Sequence, residues 1–243
     1  MSEWMQTIKD SLYINLVYED RYMFLIKGFL LTLYMTGLTF LLATILGAVF
    51  CRIRLGKIRT ARKIVELVST LFIRLPTLVL LLIFVYLLFS GWNVDTVFLA
   101  IIAFTMKAGA YISDILFTAY RAIRSGEIEA GRTLGLSRWK VFRYVILPQV
   151  VQKGLPTYKN QLIITLQETS LVGFFAINDL TRASQVITSR TMDPYISLII
   201  TSVAYLLIGA LSSLLFRLVD RQKHLKAGED YSLEKSIPGK KKA

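Results

Sequence analysis

Charged side chains lie inside long apolar stretches of this sequence at four positions: Arg74, Lys107, Asp114 and Glu168. Ionisable residues in such positions are costly to keep in a membrane and usually serve a function. Their formal charges sum to zero, which favours mutual pairing. Arg74 and Glu168 are predicted to lie at comparable depth, because each follows the basic end of its stretch by a similar number of residues at about 1.5 Å of rise per residue. One interpretation is therefore a structural ion pair between these two residues.

The same charges permit a second interpretation, a cavity that holds a zwitterionic solute. The ammonium group of the solute would face a carboxylate, and its carboxylate would face a base. Thr169 and Ser170 directly follow Glu168 and would add hydroxyl contacts. The sequence leaves both interpretations open, and the candidate solute-binding residues are Arg74, Asp114, Glu168, Thr169 and Ser170.

These candidate residues can be positioned only by helices that cross a membrane, and the composition of the chain predicts such helices. Hydrophobic residues make up 54% of the chain, and residues 28–51 and 194–216 contain no charged side chain. About 20 apolar residues of helix span the hydrocarbon core of a bilayer. The fold class is therefore all-α, an integral membrane protein with about five spans, predicted at 28–50, 64–89, 97–119, 161–177 and 194–217.

The chain is expected to comprise three parts. In residues 1–27, apolar side chains recur at helical spacing, which predicts an amphipathic helix in the membrane interface. Residues 28–218 form the predicted transmembrane domain. Residues 219–243 end in a Pro-Gly pair and three lysines, and we predict a disordered cytoplasmic tail.

The net charge of +13 indicates how the chain is oriented in a membrane and does not indicate a nucleic-acid partner. Of the 29 Lys and Arg residues, 22 lie in residues 52–63, in residues 120–160 and from residue 217 onward. Such clustering is typical of cytoplasmic loops. We therefore predict a multi-pass protein of the bacterial cytoplasmic membrane, with its N-terminus outside and its C-terminus in the cytoplasm.

The long polar stretch at 120–160 carries the most specific pattern. Residues 127–134 favour a helix, and Gly135 can adopt the left-handed conformation that ends one. Ser137 is a suitable N-cap for a second helix, which Pro148 is expected to end. The spacing resembles the pattern E-A-A-x3-G-x9-I-x-L-P, with glycine in place of the second alanine, and its positions are occupied by Glu129, Ala130, Gly131, Gly135, Leu147 and Pro148.

This pattern resembles the EAA signature of the permease subunits of bacterial ABC importers. Further downstream, residues 155–160, 168–172 and 179–181 resemble the branch of that family that takes up polar amino acids. The resemblance extends over about residues 111–205. It implies a type I ABC importer permease fold, in which the six signature residues belong to a loop that contacts a cytoplasmic ATPase and transmits its closure to the spans.

The resemblance also implies partners, and it implies no cofactor in this chain. ATP and Mg²⁺ would bind a cytoplasmic ABC ATPase dimer, since the sequence contains no G-x4-G-K-[ST] motif. A second permease subunit, identical or related, would complete the pathway. A solute-binding protein outside the membrane would deliver the solute, and lipid would surround the spans.

Three positions differ from the family pattern. Phe117 stands where an arginine is usual, Gln167 and Glu168 replace a Lys-Asp pair, and Arg74 precedes Pro76 by two residues rather than three. All three lie in the predicted solute-binding spans and not in the loop.

Two other classes of function compete with an ATP-driven importer. An intramembrane enzyme needs a nucleophile and base or a metal cluster, whereas the single Cys51 and the single His224 lie outside the predicted spans. A stand-alone channel or secondary carrier for a small polar solute is the alternative. Secondary carriers, however, usually have more spans and an internal repeat.

Overall fold

The computed structural model describes residues 2–88 and 94–235, and every regular element among them is a helix. The chain divides into two units, residues 1–202 and 203–243. The first unit begins with an N-terminal helix, a long helix and a bent pair of helices: α1 (Ser2–Leu12), α2 (Tyr22–Arg54), α3 (Arg59–Arg74) and α4 (Thr77–Leu82), which continues as a π-helical segment, Ile83–Leu88.

A second long helix, two short helices and another long helix follow: α5 (Thr96–Arg121), α6 (Ser125–Thr133), α7 (Arg138–Val141) and α8 (Leu147–Glu168). The π-helical segment Phe142–Ile146 joins α7 to α8, and the 3-10 helix Thr169–Phe175 follows α8. The last two helices are α9 (Leu180–Thr191) and α10 (Pro194–Lys235), and the second unit contains the C-terminal part of α10.

Among the described residues, three helices are long and apolar enough to cross a membrane: Tyr22–Arg54, Thr96–Arg121 and Pro194–Leu214. The pair α3 and α4 is a fourth candidate if it forms one span bent by 110°. The predicted fourth span at 161–177 is divided between the end of α8 and the 3-10 helix. Lys153, Lys159 and Glu168 make α8 less apolar than the other long helices.

Small and hydroxylic residues allow α2 and α5 to pack closely. The buried stripe of α2 recurs every three or four residues and consists of Leu25, Gly28, Thr32, Met35, Thr36, Thr39, Ala43, Gly47 and Cys51. A Cβ atom at Gly47 would lie 2.7 Å from Cγ2 of Ile112 and 2.9 Å from the carbonyl oxygen of Gly109. Close backbone approach at small residues is the usual basis of helix association in membranes, where lipid is as apolar as the helix surface.

The same stripe positions α9. Gly28 lets the backbone of Asp179 approach α2, because a Cβ atom there would lie 2.7 Å from the Asp179 carbonyl oxygen. The hydroxyl oxygen of Thr32 accepts a hydrogen bond of 3.1 Å from the backbone N–H of Leu180. The Asp179 carboxylate caps α9 by accepting hydrogen bonds from the N–H groups of Thr181 and Arg182.

Polar side chains fix the N-terminal segment to the junction of α9 and α10. Asn15 is buried, donates to Asp193 Oδ2 at 3.1 Å and accepts from the Thr191 hydroxyl at 3.1 Å. The Ser11 hydroxyl also donates to Asp193, and this hydrogen bond holds the pKa of the carboxyl group below its ordinary value. The predicted amphipathic helix corresponds to α1. Of its apolar residues, Trp4, Met5 and Ile8 have side chains that lie outside the described part of the structure.

The C-terminal segment differs from the sequence expectation. Helix α10 continues to Lys235 and so includes most of residues 219–243, for which we predicted disorder. Most residues in that part, such as Gln, Lys, Leu, Ala and Glu, have good intrinsic helix propensity, and the polarity that indicated disorder is also compatible with a helix. Residues 236–243 lie outside the described part of the chain.

Gly47→Ala is expected to lower the stability of the purified protein by about 1–3 kcal/mol, because the added methyl group forces α2 and α5 apart. Gly37→Ala is the matched control, since a methyl group there, on the same helix, has nothing within 4 Å. Thermal unfolding in detergent compares the two variants. Equal unfolding midpoints for both variants would contradict the packing described for α2 and α5.

Candidate functional site

Lys107 lies opposite the break between α3 and α4. Pro76 ends α3 by holding Leu75 in an extended conformation, and the last carbonyl groups of α3 therefore lose their helical donors. The Lys107 ammonium group donates to the carbonyl oxygen of Leu75 at 3.1 Å and to the hydroxyl oxygen of Thr77. A cation at the carboxyl end of a helix is also favoured by the helix dipole.

Glu168 completes this group of side chains. Its Oε1 atom lies 3.3 Å from the Lys107 ammonium nitrogen and accepts a 2.6 Å hydrogen bond from the Thr77 hydroxyl. The side chains of Lys107 and Glu168 are 7% and 18% exposed. A buried charge without its partner is strongly destabilising, so this pair ties α5, α8 and the start of α4 together. We call Thr77, Lys107 and Glu168 the central triad.

The predicted pair between Arg74 and Glu168 is wrong. Arg74 is the last residue of α3, is exposed, and forms no ion pair among the described residues. Arg74 lies only three residues before Thr77, which contacts Glu168, but the chain bends by 110° between α3 and α4. Lys107, on the packed face of α5, therefore supplies the cation instead.

Asp114 belongs to a different cluster. It forms an ion pair with Arg54, which also donates to the Ser113 hydroxyl at 3.3 Å. The Arg54 guanidinium lies 4.3 Å from the centre of the Phe117 ring. Phe117 thus stands where the family pattern has an arginine, and a residue of α2 brings a guanidinium to the same place. Sequence reasoning misses this role of Arg54, whose only signal is its position in the last turn of α2.

The two hydroxyl candidates beside Glu168 are bonded to the backbone. Thr169 is fully buried, and its hydroxyl donates to the carbonyl oxygen of Leu166 at 2.6 Å. The Ser170 hydroxyl donates to the carbonyl oxygen of Gln167 at 2.7 Å. The structure therefore groups Glu168, Thr169 and Ser170 at one end of α8, apart from Asp114, and leaves Arg74 exposed at the break.

The loop between α5 and α8 forms two short helices that meet at a glycine, as predicted. Gly135 has a φ of +78°, the left-handed conformation that glycine adopts without strain. The N–H of Gly135 bonds to the Arg132 carbonyl at 2.9 Å, and the N–H of Leu136 bonds to the Gly131 carbonyl at 3.2 Å. These are the two hydrogen bonds of a Schellman motif. Ser137 caps α7 by accepting from the N–H of Lys140 at 3.4 Å.

A small apolar core holds the two loop helices together. Ile123, Val141 and Ile146 are buried in it, and Gly131 allows Val141 to approach α6. Glu129 and Ala130 are exposed on α6. Large apolar side chains also remain exposed on the loop, among them Leu134 at 81% and Trp139 at 69%.

The expected end of the second loop helix at Pro148 is wrong. Helical backbone continues from α7 through the π-helical segment, and Leu147 and Pro148 begin α8. Proline is accepted in the first turn of a helix, where the missing N–H would have no intrahelical partner. The π-helical segment provides the local break in the hydrogen-bond pattern that makes this possible.

The described residues contain no group of three or more His, Cys, Asp or Glu side chains arranged to share a metal ion. The charged and hydroxyl groups of the two polar clusters can recognise a ligand by charge and hydrogen bonding.

Residues 41–224 match the family of inner membrane components of binding-protein-dependent transport systems. The chain belongs to that family. It is a transport subunit and a multi-pass protein of the inner membrane, with the type I ABC importer permease fold. Membership does not favour the stand-alone channel or secondary carrier.

Relatives that match most of this chain are amino acid permeases. The L-cystine transport system permease protein TcyB of Bacillus subtilis is 31% identical, over 86% of this chain and 90% of the relative. The glutamine transport system permease protein GlnP of Escherichia coli is 34% identical, over 65% of this chain and 74% of the relative. A putative glutamine permease of Rickettsia bellii is 24% identical, over 84% of this chain and 95% of the relative.

Solved structures share the fold. An amino acid ABC transporter crystallised with histidines has a TM-score of 0.76 and 26% identity, covering 85% of this chain and 97% of that one. The inward-facing MetNI methionine ABC transporter has a TM-score of 0.63 at 21% identity, covering 81% and 96%. The second comparison bears on the fold alone.

Lys107→Met and Glu168→Gln are each expected to destabilise the protein by about 3–5 kcal/mol, because each leaves a buried charge without its partner. The double variant should lose less stability than the sum of the two single losses. We expect the difference to be roughly 0.5–3 kcal/mol. Arg74→Gln is the control and should leave the unfolding midpoint in detergent unchanged. Additive losses would show that Lys107 and Glu168 do not interact.

Proposed function

We propose that this chain moves a polar amino acid across the cytoplasmic membrane, driven by a separate ATPase that binds the loop at 121–160. The observation that carries this proposal is the capped loop itself, which holds Leu134 and Trp139 in solvent on two short helices. Exposed large apolar side chains on a rigid element are typical of a protein interface. Glu129, Ala130, Gly131, Gly135, Leu147 and Pro148 shape this loop or begin α8.

The loop is suited to transmit force to the spans. Helical backbone runs without interruption from Arg138 at the start of α7 to Glu168 in the central triad. A displacement of the loop helices therefore acts on α8 and on the ion pair that fixes α8 to α5. ATP and Mg²⁺ bind the ATPase. Closure of an ATPase dimer switches the solute pathway between access from outside and access from the cytoplasm.

The solute is a zwitterionic or other polar amino acid. The relatives TcyB and GlnP are named for L-cystine and glutamine, and the intramembrane clusters carry balanced charge rather than an excess of one sign. We propose that Arg74, exposed at the break, faces the solute carboxylate, and that Glu168 and Ser170 border the same space. Thr169 supports this region from within the helix packing, and Asp114 contributes nearer the loop.

The remaining partners follow from this role. A second permease subunit, identical or related, completes the pathway, and an extracytoplasmic solute-binding protein delivers the amino acid. The concentration of Lys and Arg in three segments supports the orientation proposed for the chain, with the N-terminus outside and the loop and C-terminus in the cytoplasm.

Gly135→Val tests the coupling role of the loop. A β-branched residue is strained at a φ of +78°, by about 1–2 kcal/mol, so α6 and α7 cannot keep their angle. Uptake of the amino acid should fall strongly while the permease stays inserted, and less ATPase should copurify with it.

Gly126→Val is the matched control, because Gly126 lies on α6, has no positive φ and has nothing within 4 Å of an added Cβ atom. Normal uptake and normal ATPase recovery by the Gly135→Val permease would refute the coupling role of this turn.

A further inference from the structure

The loop between α5 and α8 joins the spans at two places that differ in structure. On one side, helical backbone runs from α7 into α8 without a break. On the other side, α5 ends at Arg121, and the backbone is extended at Arg124, with φ of −68° and ψ of 132°, before α6 begins at Ser125. Each residue outside a helix keeps two soft backbone dihedrals. Residues 122–124, which we call the hinge, would therefore let the loop turn without moving α5 unless other contacts hold them.

Two side chains at the start of α8 make such contacts, one on each side of the hinge. The Gln149 amide donates a hydrogen bond to the Glu127 carboxylate, which lies in the first turn of α6. The Lys153 ammonium group donates at 2.6 Å to the carbonyl oxygen of Ala122, the C-cap of α5. Both hydrogen bonds involve a charged group, which makes them stronger than bonds between neutral groups. We call Gln149 and Lys153 the hinge clamp.

The packing of α8 against α5 fits this bridge. Gln149 and Lys153 are four residues apart, so they lie one turn apart on the same face of α8. Next to Lys153, Gly154 is buried, and a Cβ atom there would lie 3.4 Å from Cγ2 of Ile115 and 3.5 Å from Cβ of Ala119. Helix α8 therefore lies against the last turns of α5, where the helix dipole also favours a cation.

Apolar contacts alone would not fix the angle between α5 and α6. The hinge contributes Ile123 to the small apolar core of the loop, together with Val141 and Ile146. Apolar burial is non-directional, so it keeps the loop packed without setting one orientation. Hydrogen bonds weaken steeply away from their preferred angle. The two bonds of the hinge clamp therefore set the direction in which α6 leaves α5.

We propose that Gln149 and Lys153 are positioning residues for coupling, which lock the hinge so that a motion of the loop moves α5 together with α8. Without the hinge clamp, residues 122–124 absorb the motion on the α5 side and only α8 is displaced. Because α5 carries Lys107 and α8 carries Glu168, joint movement keeps the central triad together during transport. The inference rests on the proposed function for the ATPase that moves the loop.

A charge swap across the hinge tests the hinge clamp itself. Gln149→Glu sets two carboxylates against each other, and Glu127→Gln added to that variant restores a hydrogen bond with donor and acceptor exchanged. Trypsin cleavage after Arg124, which is exposed in the hinge, is followed by mass spectrometry on the full-length permease in nanodiscs. Gln149→Glu should speed cleavage by about tenfold, the value of one hydrogen bond to a charged group. The swap should return the rate to that of the unmodified chain.

The role in coupling is tested in proteoliposomes that contain the permease and its ATPase, with the binding protein outside. Uptake of a mixture of radiolabelled L-amino acids and hydrolysis of ATP are measured together. Gln149→Glu and Lys153→Met should each raise the ATP hydrolysed per amino acid by about tenfold, whereas the charge swap and Lys153→Arg should restore the ratio. Lys153 also borders a cavity of 510 Å³ between α5 and α8, whereas Glu127 and Gln149 are not among its lining residues. The swap therefore reports on the hinge alone.

Gln152→Glu is the matched control and should change neither measurement. Gln152 lies on the same turn of α8, is exposed, and has no hydrogen bond or ion pair within the described part of the chain. Unchanged cleavage and an unchanged ATP ratio in Gln149→Glu, or a swap that stays as impaired as Gln149→Glu, overturns the hinge clamp. Absent ATP-driven uptake by the unmodified complex, with cleavage responding as expected, counts against the proposed function instead.

Discussion

The ammonium group of Lys107 stabilises the bend that Pro76 causes between α3 and α4. Pro76 removes helical donors from the end of α3, and in a membrane no bulk water replaces them. Lys107 donates to the Leu75 carbonyl, while Thr77 and Lys107 both contact Glu168. The Lys107 side chain thereby supplies a hydrogen-bond donor at the broken end of α3 and neutralises the buried Glu168 carboxylate. It ties three helices together. This contact ties the end of α8 to α5 and to the start of α4.

The central triad also sets the register between α5 and α8. Because Lys107 meets Glu168, residues seven positions away on each helix face each other two turns nearer the loop, where Asp114 and Gln161 border one cavity. The loop is continuous with α8 through helical backbone at Leu147 and Pro148. A motion of α6 and α7 would thus be transmitted along α8 to the cavity and to the central triad. The arrangement links the proposed ATPase contact to the polar clusters without a separate connecting element.

Local signals in the sequence predicted the loop well. Gly135 and Ser137 act through their own backbone conformation and nearest neighbours, so their roles are readable without knowing the fold. The sequence does not predict how the charges pair, because Arg74 and Lys107 are both cations within predicted spans and the bend at Pro76 decides which one meets Glu168. Arg54 belongs to the predicted basic loop at 52–63, yet the last turn of α2 brings it to Asp114. The sequence predicts a helix end at Pro148, because a proline is compatible both with the end of one helix and with the first turn of the next.

We propose that this permease imports an amino acid only when a separate ATPase drives it through the loop. The direct measurement is uptake of radiolabelled amino acids into proteoliposomes that contain the permease and its ATPase, with the binding protein outside and ATP inside. We expect the amino acid to accumulate against its gradient, and this accumulation should require both ATP and the binding protein. Equilibration of the solute by the permease alone, unchanged by ATP, would contradict it.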